Sequence, residues 1–235
     1  VLNILDVINT VSDILGTTFR GAVEWLIENF HIIEDQIREI QQDLPQGYYN
    51  ELPRLSLGDL KGYPRVYSIS LALIAHSDSN VSKERITKFI QSYQKFSPLK
   101  SGELWAVPIT LRITLIENLR RLILKLFICE EAKMEINNIT KKYLESDMSE
   151  YNFTKSLNEI FSDQYTLEKA SITQLCYNLR DQELDLVHNN ISLDKLLKSK
   201  KLNIQSAIHA EQLEQSAIQI TIGNIITSMR LLSNI

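Results

Sequence analysis

Three observations predict an all-α fold. No glycine or proline occurs from Ile109 to Ile222, so that span lacks the residues that break helices and supply tight turns. Apolar residues recur at helical period, as in Val23, Leu26, Ile27, Phe30, Ile33, Ile37 and Ile40, the stripe that one buried helix face requires. No segment alternates polar and apolar residues over the length of a strand. The architecture expected is a multi-helix bundle around a long central helix, with one Pro/Gly-rich packed connector. Residues 1–235 are read as a single domain, since 44% hydrophobic and 23% charged residues over 235 positions suffice for a buried core.

In chain order, an opening helix runs from about Leu2 to Leu15 and ends near Gly16. The second, about Arg20 to Gln42, carries the stripe just named. From Asp43 to Gly62 the chain is turn-rich, with Pro45, Gly47, Pro53, Gly58 and Gly62. So long a connector is expected to be packed down, through Leu44, Tyr48, Tyr49, Leu52, Leu55, Leu57 and Leu60. Pro64 suits a first helical turn leading to about Ser77. Ser82 caps a helix to about Lys95, with Glu84 near its positive end.

Ser101 is expected to cap the central helix, and Pro108 to kink it or mark its true start. Beyond Ile128 the charges Glu130, Glu131, Lys133, Glu135 and Lys141-Lys142 predict a helix leaving the core for solvent. Shorter helices follow at about Glu150–Ser162, Thr166–Gln182 and Leu193–Lys200. A long last helix begins near Ile204.

Composition excludes several classes of function. A net charge of −4 offers no global basic field for nucleic acid or an anionic bilayer. Cys129 and Cys176 sit far apart in apolar contexts and give neither a disulfide framework nor zinc spacing, which suits a reducing compartment. The opening Val1-Leu2-Asn3-Ile4 has no basic n-region and no initiator Met, and reads as a trimmed chain without a signal peptide. The segment Leu104–Ile128 is the most apolar, yet Arg112, Glu117, Arg120, Arg121 and Lys125 interrupt it. Those charges would cost several kcal/mol in hydrocarbon, so it is expected to be a helix in a protein core and no membrane span.

Two constellations stand out. Arg112, Glu117, Asn118, Arg120 and Arg121 lie on one helix among apolar residues, with Glu117 able to meet Arg120 at i+3 or Arg121 at i+4. They are read as a structural polar network that locks helix register, because buried charge persists only when paired; an anion or sugar site is the weaker reading. Tyr48, Tyr49, Tyr63, Tyr67 and Trp105 form an aromatic group beside Arg54, Asp59 and Arg65. Such faces stack on sugar rings, though pinning an irregular loop is their commoner use. His76-Ser77-Asp78 cannot form a catalytic triad from adjacent positions and reads as a helix end with a capping Asp. His31, His188 and His209 are scattered, so no metal site or cofactor is expected. No Gly-rich phosphate cradle occurs. The last helix shows an apolar line, Ile218, Ile222, Ile225, Met229 and Leu232, at spacings of four and three. It is expected to be exposed and to pair two copies into a homodimer.

Leu52-Pro53-Arg54-Leu55, the run Gly58-Asp59-Leu60-Lys61-Gly62-Tyr63-Pro64-Arg65-Val66-Tyr67, and Ser101-Gly102-Glu103-Leu104-Trp105-Ala106-Val107-Pro108-Ile109-Thr110-Leu111-Arg112 carry a resemblance. So do Leu115 to Leu122, Trp25 to His31, Asp43 to Tyr49, and Ile222-Gly223-Asn224 with Thr227 to Ser233. Together they resemble the N-terminal soluble region of the cyclic β-1,2-glucan synthases, bacterial inner-membrane glycosyltransferases. The resemblance implies a parent that polymerises glucose from UDP-glucose into cyclic β-1,2-glucan, and a place for this chain on the cytoplasmic side of the inner membrane beside the parent's other domains. The Asp-x-Asp and Gln-x-x-Arg-Trp motifs of such transferases do not occur here. The expected role is a non-catalytic scaffold or regulatory region, with a glucan-binding module as the alternative and an independent enzyme least supported.

Overall fold

The computed structural model describes residues 28–145, 148–160, 165–180 and 204–234. The expected helices at Leu2–Leu15 and Leu193–Lys200 lie outside the described residues, as does the start of the second helix. The described residues form eight helices and no strand: α1 Phe30–Asp43, α2 Gln46–Glu51, α3 Arg65–His76, α4 Lys83–Gln94, α5 Ser101–Leu144, α6 Glu150–Ile160, α7 Tyr165–Arg180 and α8 Ile204–Leu232. The fold is all-α, and α5, at 44 residues, is its long helix. Among the described residues no helix is long and apolar enough to cross a membrane.

The chain divides into two compact units. Of the described residues, the first comprises 28–122 with 218–234, and the second 123–145, 148–160, 165–180 and 204–217. In the first, Ile33, Val66, Leu111, Leu115, Leu119, Ile225, Met229 and Leu232 are completely buried. The apolar line expected to lie exposed on the last helix is therefore core: Ile218, Ile222, Ile225, Met229 and Leu232 are all buried within this one chain. Spacing reveals that residues share a face but not what covers it. The unit's own residues cover this one, and the basis for a homodimer through this helix is gone.

The connector is packed, and it also has structure of its own. It holds α2 and a reversal whose backbone pairs Arg54 with Pro64. Leu55 N donates to Tyr63 O at 2.9 Å, and Arg65 N to Pro53 O at 2.8 Å. Gly58 (φ 83°) and Gly62 (φ 87°) turn the chain in the left-handed region that glycine enters without strain. Leu52 is buried, but Leu57, expected to pack, is 81% exposed at the tip of the reversal.

Helix ends follow local chemistry. Ser82 Oγ accepts from Arg85 N at 3.2 Å, with Glu84 in the first turn. Ser101 does not cap α5 but is its first residue. Glu103 reaches back instead, its Oε2 accepting from Lys100 N at 3.0 Å. Pro108 lies inside α5 and does not mark its start; its missing N–H leaves the Leu104 carbonyl without that helical bond.

In the second unit Ile136, Phe153, Leu157, Ile172, Leu175 and Ala207 form the core, with the Tyr143 ring stacked on Phe153 at 4.3 Å. The expectation that α5 leaves the core beyond Ile128 is overturned. Glu130, Lys133, Ile136 and Thr140 are all buried, and only Glu131 of the Glu130-Glu131 pair faces solvent. Lys133 Nζ lies 2.9 Å from Glu130 and 3.4 Å from Glu211, so mutual neutralisation makes that burial tolerable. Burial pushes the Cys129 thiol up to about 11, which keeps it protonated and unreactive.

Candidate functional site

All five aromatic candidates belong to the first unit. Helix α2 presents Tyr48 and Tyr49. The Tyr48 hydroxyl donates to Gly102 O at 2.5 Å, its ring edge 3.8 Å from where a Cβ on Gly102 would lie. The Tyr49 ring carries the Arg54 guanidinium at 5.0 Å. Arg54 is held there by donating to Gly62 O at 2.7 Å and Asn50 Oδ1 at 3.3 Å. Tyr63 stacks on Tyr67, ring centres 5.6 Å apart.

Burial, followed by the negative charge of Glu117, pushes the Tyr67 hydroxyl up from its ordinary value; Tyr63 and Tyr49 add to this and Arg121 opposes it. Tyr67 is thus where the aromatic group meets the polar residues of α5. Trp105 is 79% exposed on the first turns of α5.

The five polar candidates on α5 are not one network. Glu117 and Arg120 pair fork to fork at 2.8 and 2.6 Å. The Arg120 hydrogen bonds hold the Glu117 carboxyl below its usual range, against burial. The pair is partly exposed, at 40% and 26% of its side-chain surface. Asn118 turns to another partner, donating to Ser79 Oγ at 2.8 Å. Arg112 is the buried charge: Nε donates to Gln36 Oε1 at 3.1 Å, Nη2 to Leu232 O at 2.7 Å, and Nη2 pairs with Glu39 at 2.8 Å. Arg121 is exposed.

Sequence reasoning missed a second ion pair. Arg65 grips Glu103 through two bonds at 2.9 and 2.6 Å, and also donates to Ser97 Oγ at 2.7 Å and Pro98 O at 3.2 Å. Glu103 is fully buried. Burial opposes its charge, but the Arg65 hydrogen bonds and the Lys100 amide outweigh that and hold its carboxyl below the usual range. Also missed was the clamp on the α3–α4 loop, where Asp78 and Ser79 take left-handed backbone at φ 47° and 61°. Asn224 Nδ2 donates to Asp78 O at 3.0 Å, Asn118 engages Ser79, and Ser228 bonds both Ser79 O and Val81 N. Asp78 therefore acts through its backbone rather than as the expected cap. Partners up to 149 residues apart leave no local signal.

No family model matches the chain. It is 31% identical over 222 residues to cyclic β-(1,2)-glucan synthase NdvB of Rhizobium meliloti (strain 1021), an alignment that spans 94% of this chain and 8% of that relative. The segments that carry the site, from Leu52 to Arg65 and from Ser101 to Leu122, belong to a chain that corresponds to an N-terminal-like region of the cyclic β-(1,2)-glucan synthase family.

Proposed function

We propose that this chain is a non-catalytic scaffold or regulatory region of a cyclic β-1,2-glucan synthase, whose whole protein transfers glucose from UDP-glucose and lies with this region on the cytoplasmic side of the bacterial inner membrane. The observation that supports the reading is where the demanding polar side chains spend their hydrogen bonds. Arg112, Arg65, Glu103, Asn224 and Ser228 are engaged with other elements of the same unit, and buried polar groups satisfied in this way rigidify a fold.

Titration calorimetry of the chain with UDP-glucose and Mg²⁺ should be flat. In the whole synthase, Arg112→Met should lower the amount of assembled enzyme while the KM for UDP-glucose stays unchanged. Saturable heat in the first experiment, or a changed KM at normal enzyme level in the second, overturns the scaffold reading.

A second reading, a glucan-binding face, is favoured by one observation. Tyr63 is 49% exposed while stacked on Tyr67 beside Glu117 and Arg121, which joins an aromatic face to polar groups as sugar rings require. Heat on titrating β-1,2-glucan, lost in Tyr63→Ala, would select it.

A further inference from the structure

We infer that the end of the first unit where α3 and α5 begin is a docking surface for an anionic lipid bilayer. The inference goes beyond the scaffold reading and rests mainly on side chains that reading does not use. Helix α3 starts at Arg65, α4 stops at Gln94 and α5 starts at Ser101. The Arg65 guanidinium ties these three ends together through Ser97, Pro98 and Glu103. Segments leaving this knot carry Leu57 at 81% exposure, Tyr63 at 49%, Phe96 at 91%, Leu104 at 37% and Trp105 at 79%. Among the described residues of the unit only one other large apolar side chain, Ile220, is comparably exposed; Tyr63, Phe96, Leu104 and Trp105 lie within two residues of Arg65, Ser97 or Glu103, and Leu57 lies on the reversal that leads into Arg65. Concentrated apolar surface of this kind marks an interaction site, whereas scattered single residues do not.

Charge selects the occupant. Lys61, Lys95 and Lys100 are exposed on the same segments, where Asp59 is the opposing carboxylate and Glu103 is taken up by Arg65. This end is therefore basic on a chain of net charge −4. Apolar insertion plus basic residues is the pair of signals that holds a protein at an anionic lipid surface. Trp favours the headgroup level, and Lys stems lie along apolar surface while their ammonium groups stay in water. The reversal around Gly58 and Gly62 and the Arg65 knot order these tips before contact, so little ordering entropy opposes insertion. A second copy fits less well, because a two-fold contact would bring like charges together. A sugar polymer fits less well too, since Leu57 and Phe96 offer no hydrogen-bonding tip.

Cosedimentation of the whole chain with phosphatidylcholine vesicles, with and without phosphatidylglycerol, tests this. The chain should bind the anionic vesicles more strongly, and added salt should release it. Lys95→Glu and Lys100→Glu should each weaken binding about fivefold or more. Phe96→Ser with Trp105→Ser should reduce binding to both lipid mixtures, while Ile220→Ser should change neither, with circular dichroism confirming that every variant is folded. Absence of binding to both vesicles, or equal binding by all variants, overturns the inference. So would self-association or glucan binding that Phe96→Ser with Trp105→Ser abolishes while vesicle binding is untouched.

Discussion

The hydroxyl of Ser228 donates to the carbonyl of Ser79 at 2.6 Å and accepts from the Val81 amide at 3.0 Å. One side chain thus serves two backbone groups on either side of Asn80, in a loop whose Ser79 is held at φ 61°. Non-glycine residues in that region cost on the order of 1 kcal/mol or more, and they persist only where surrounding bonds hold them. Ser228→Ala should destabilise the protein by about 1–3 kcal/mol, since it leaves a buried amide without its partner. Urea melts check the value, and faster amide exchange at Val81 would locate the effect.

Arg65→Met should cost about 3–5 kcal/mol, because it strands the fully buried Glu103 carboxylate. The same pair makes stability acid-sensitive. Glu103 has its folded pKa below the ordinary 4.5, so the unfolded chain binds the proton more readily. The pair's contribution is complete above about pH 4.5 and is lost as pH falls through the lower folded value. Melts over that acid range should show a steeper loss for wild type than for Glu103→Gln.

Glu117→Ala and Arg112→Met should separate sharply. The Glu117–Arg120 pair is partly exposed, and solvent screening limits it to about 0–1 kcal/mol. Arg112 is buried and serves Gln36, Glu39 and the Leu232 carbonyl at the end of α8, so its loss should cost about 3–5 kcal/mol. Denaturant midpoints of the two variants measure the contrast.

Ile225 and Met229 are completely buried, so Ile225→Glu or Met229→Glu should unfold the protein by placing an unpaired charge in the core of the first unit. Loss of near-ultraviolet circular dichroism is the expected readout.

We propose that residues 1–235 unfold as one domain. Helix α5 supplies Leu115 and Leu119 to one core and Ile136 to the other, and a continuous helix frays cooperatively. Lys133→Met, which strands Glu130 and Glu211 in the second unit, and Arg112→Met in the first should each shift a single common transition. Two transitions that respond separately would show two domains.

Local structure was legible in the residues themselves. The Gly/Pro-free span, the Ser82 cap and Pro64 before α3 place helices, because each acts over a few residues. The Arg65–Glu103 pair, the partners of Arg112 and the Ser228 clamp were decided by tertiary structure, which joins positions from 38 to 149 residues apart. Burial was decided there too. Ile218 to Leu232 reads as one line on a helix in either case, and only the packing of the first unit makes it core. Glu130 and Lys133 read as solvent-facing by charge, and their burial follows from Glu211, a residue on a different helix. Periodicity tells which side chains share a face, and charge complementarity between distant elements tells which face goes inside.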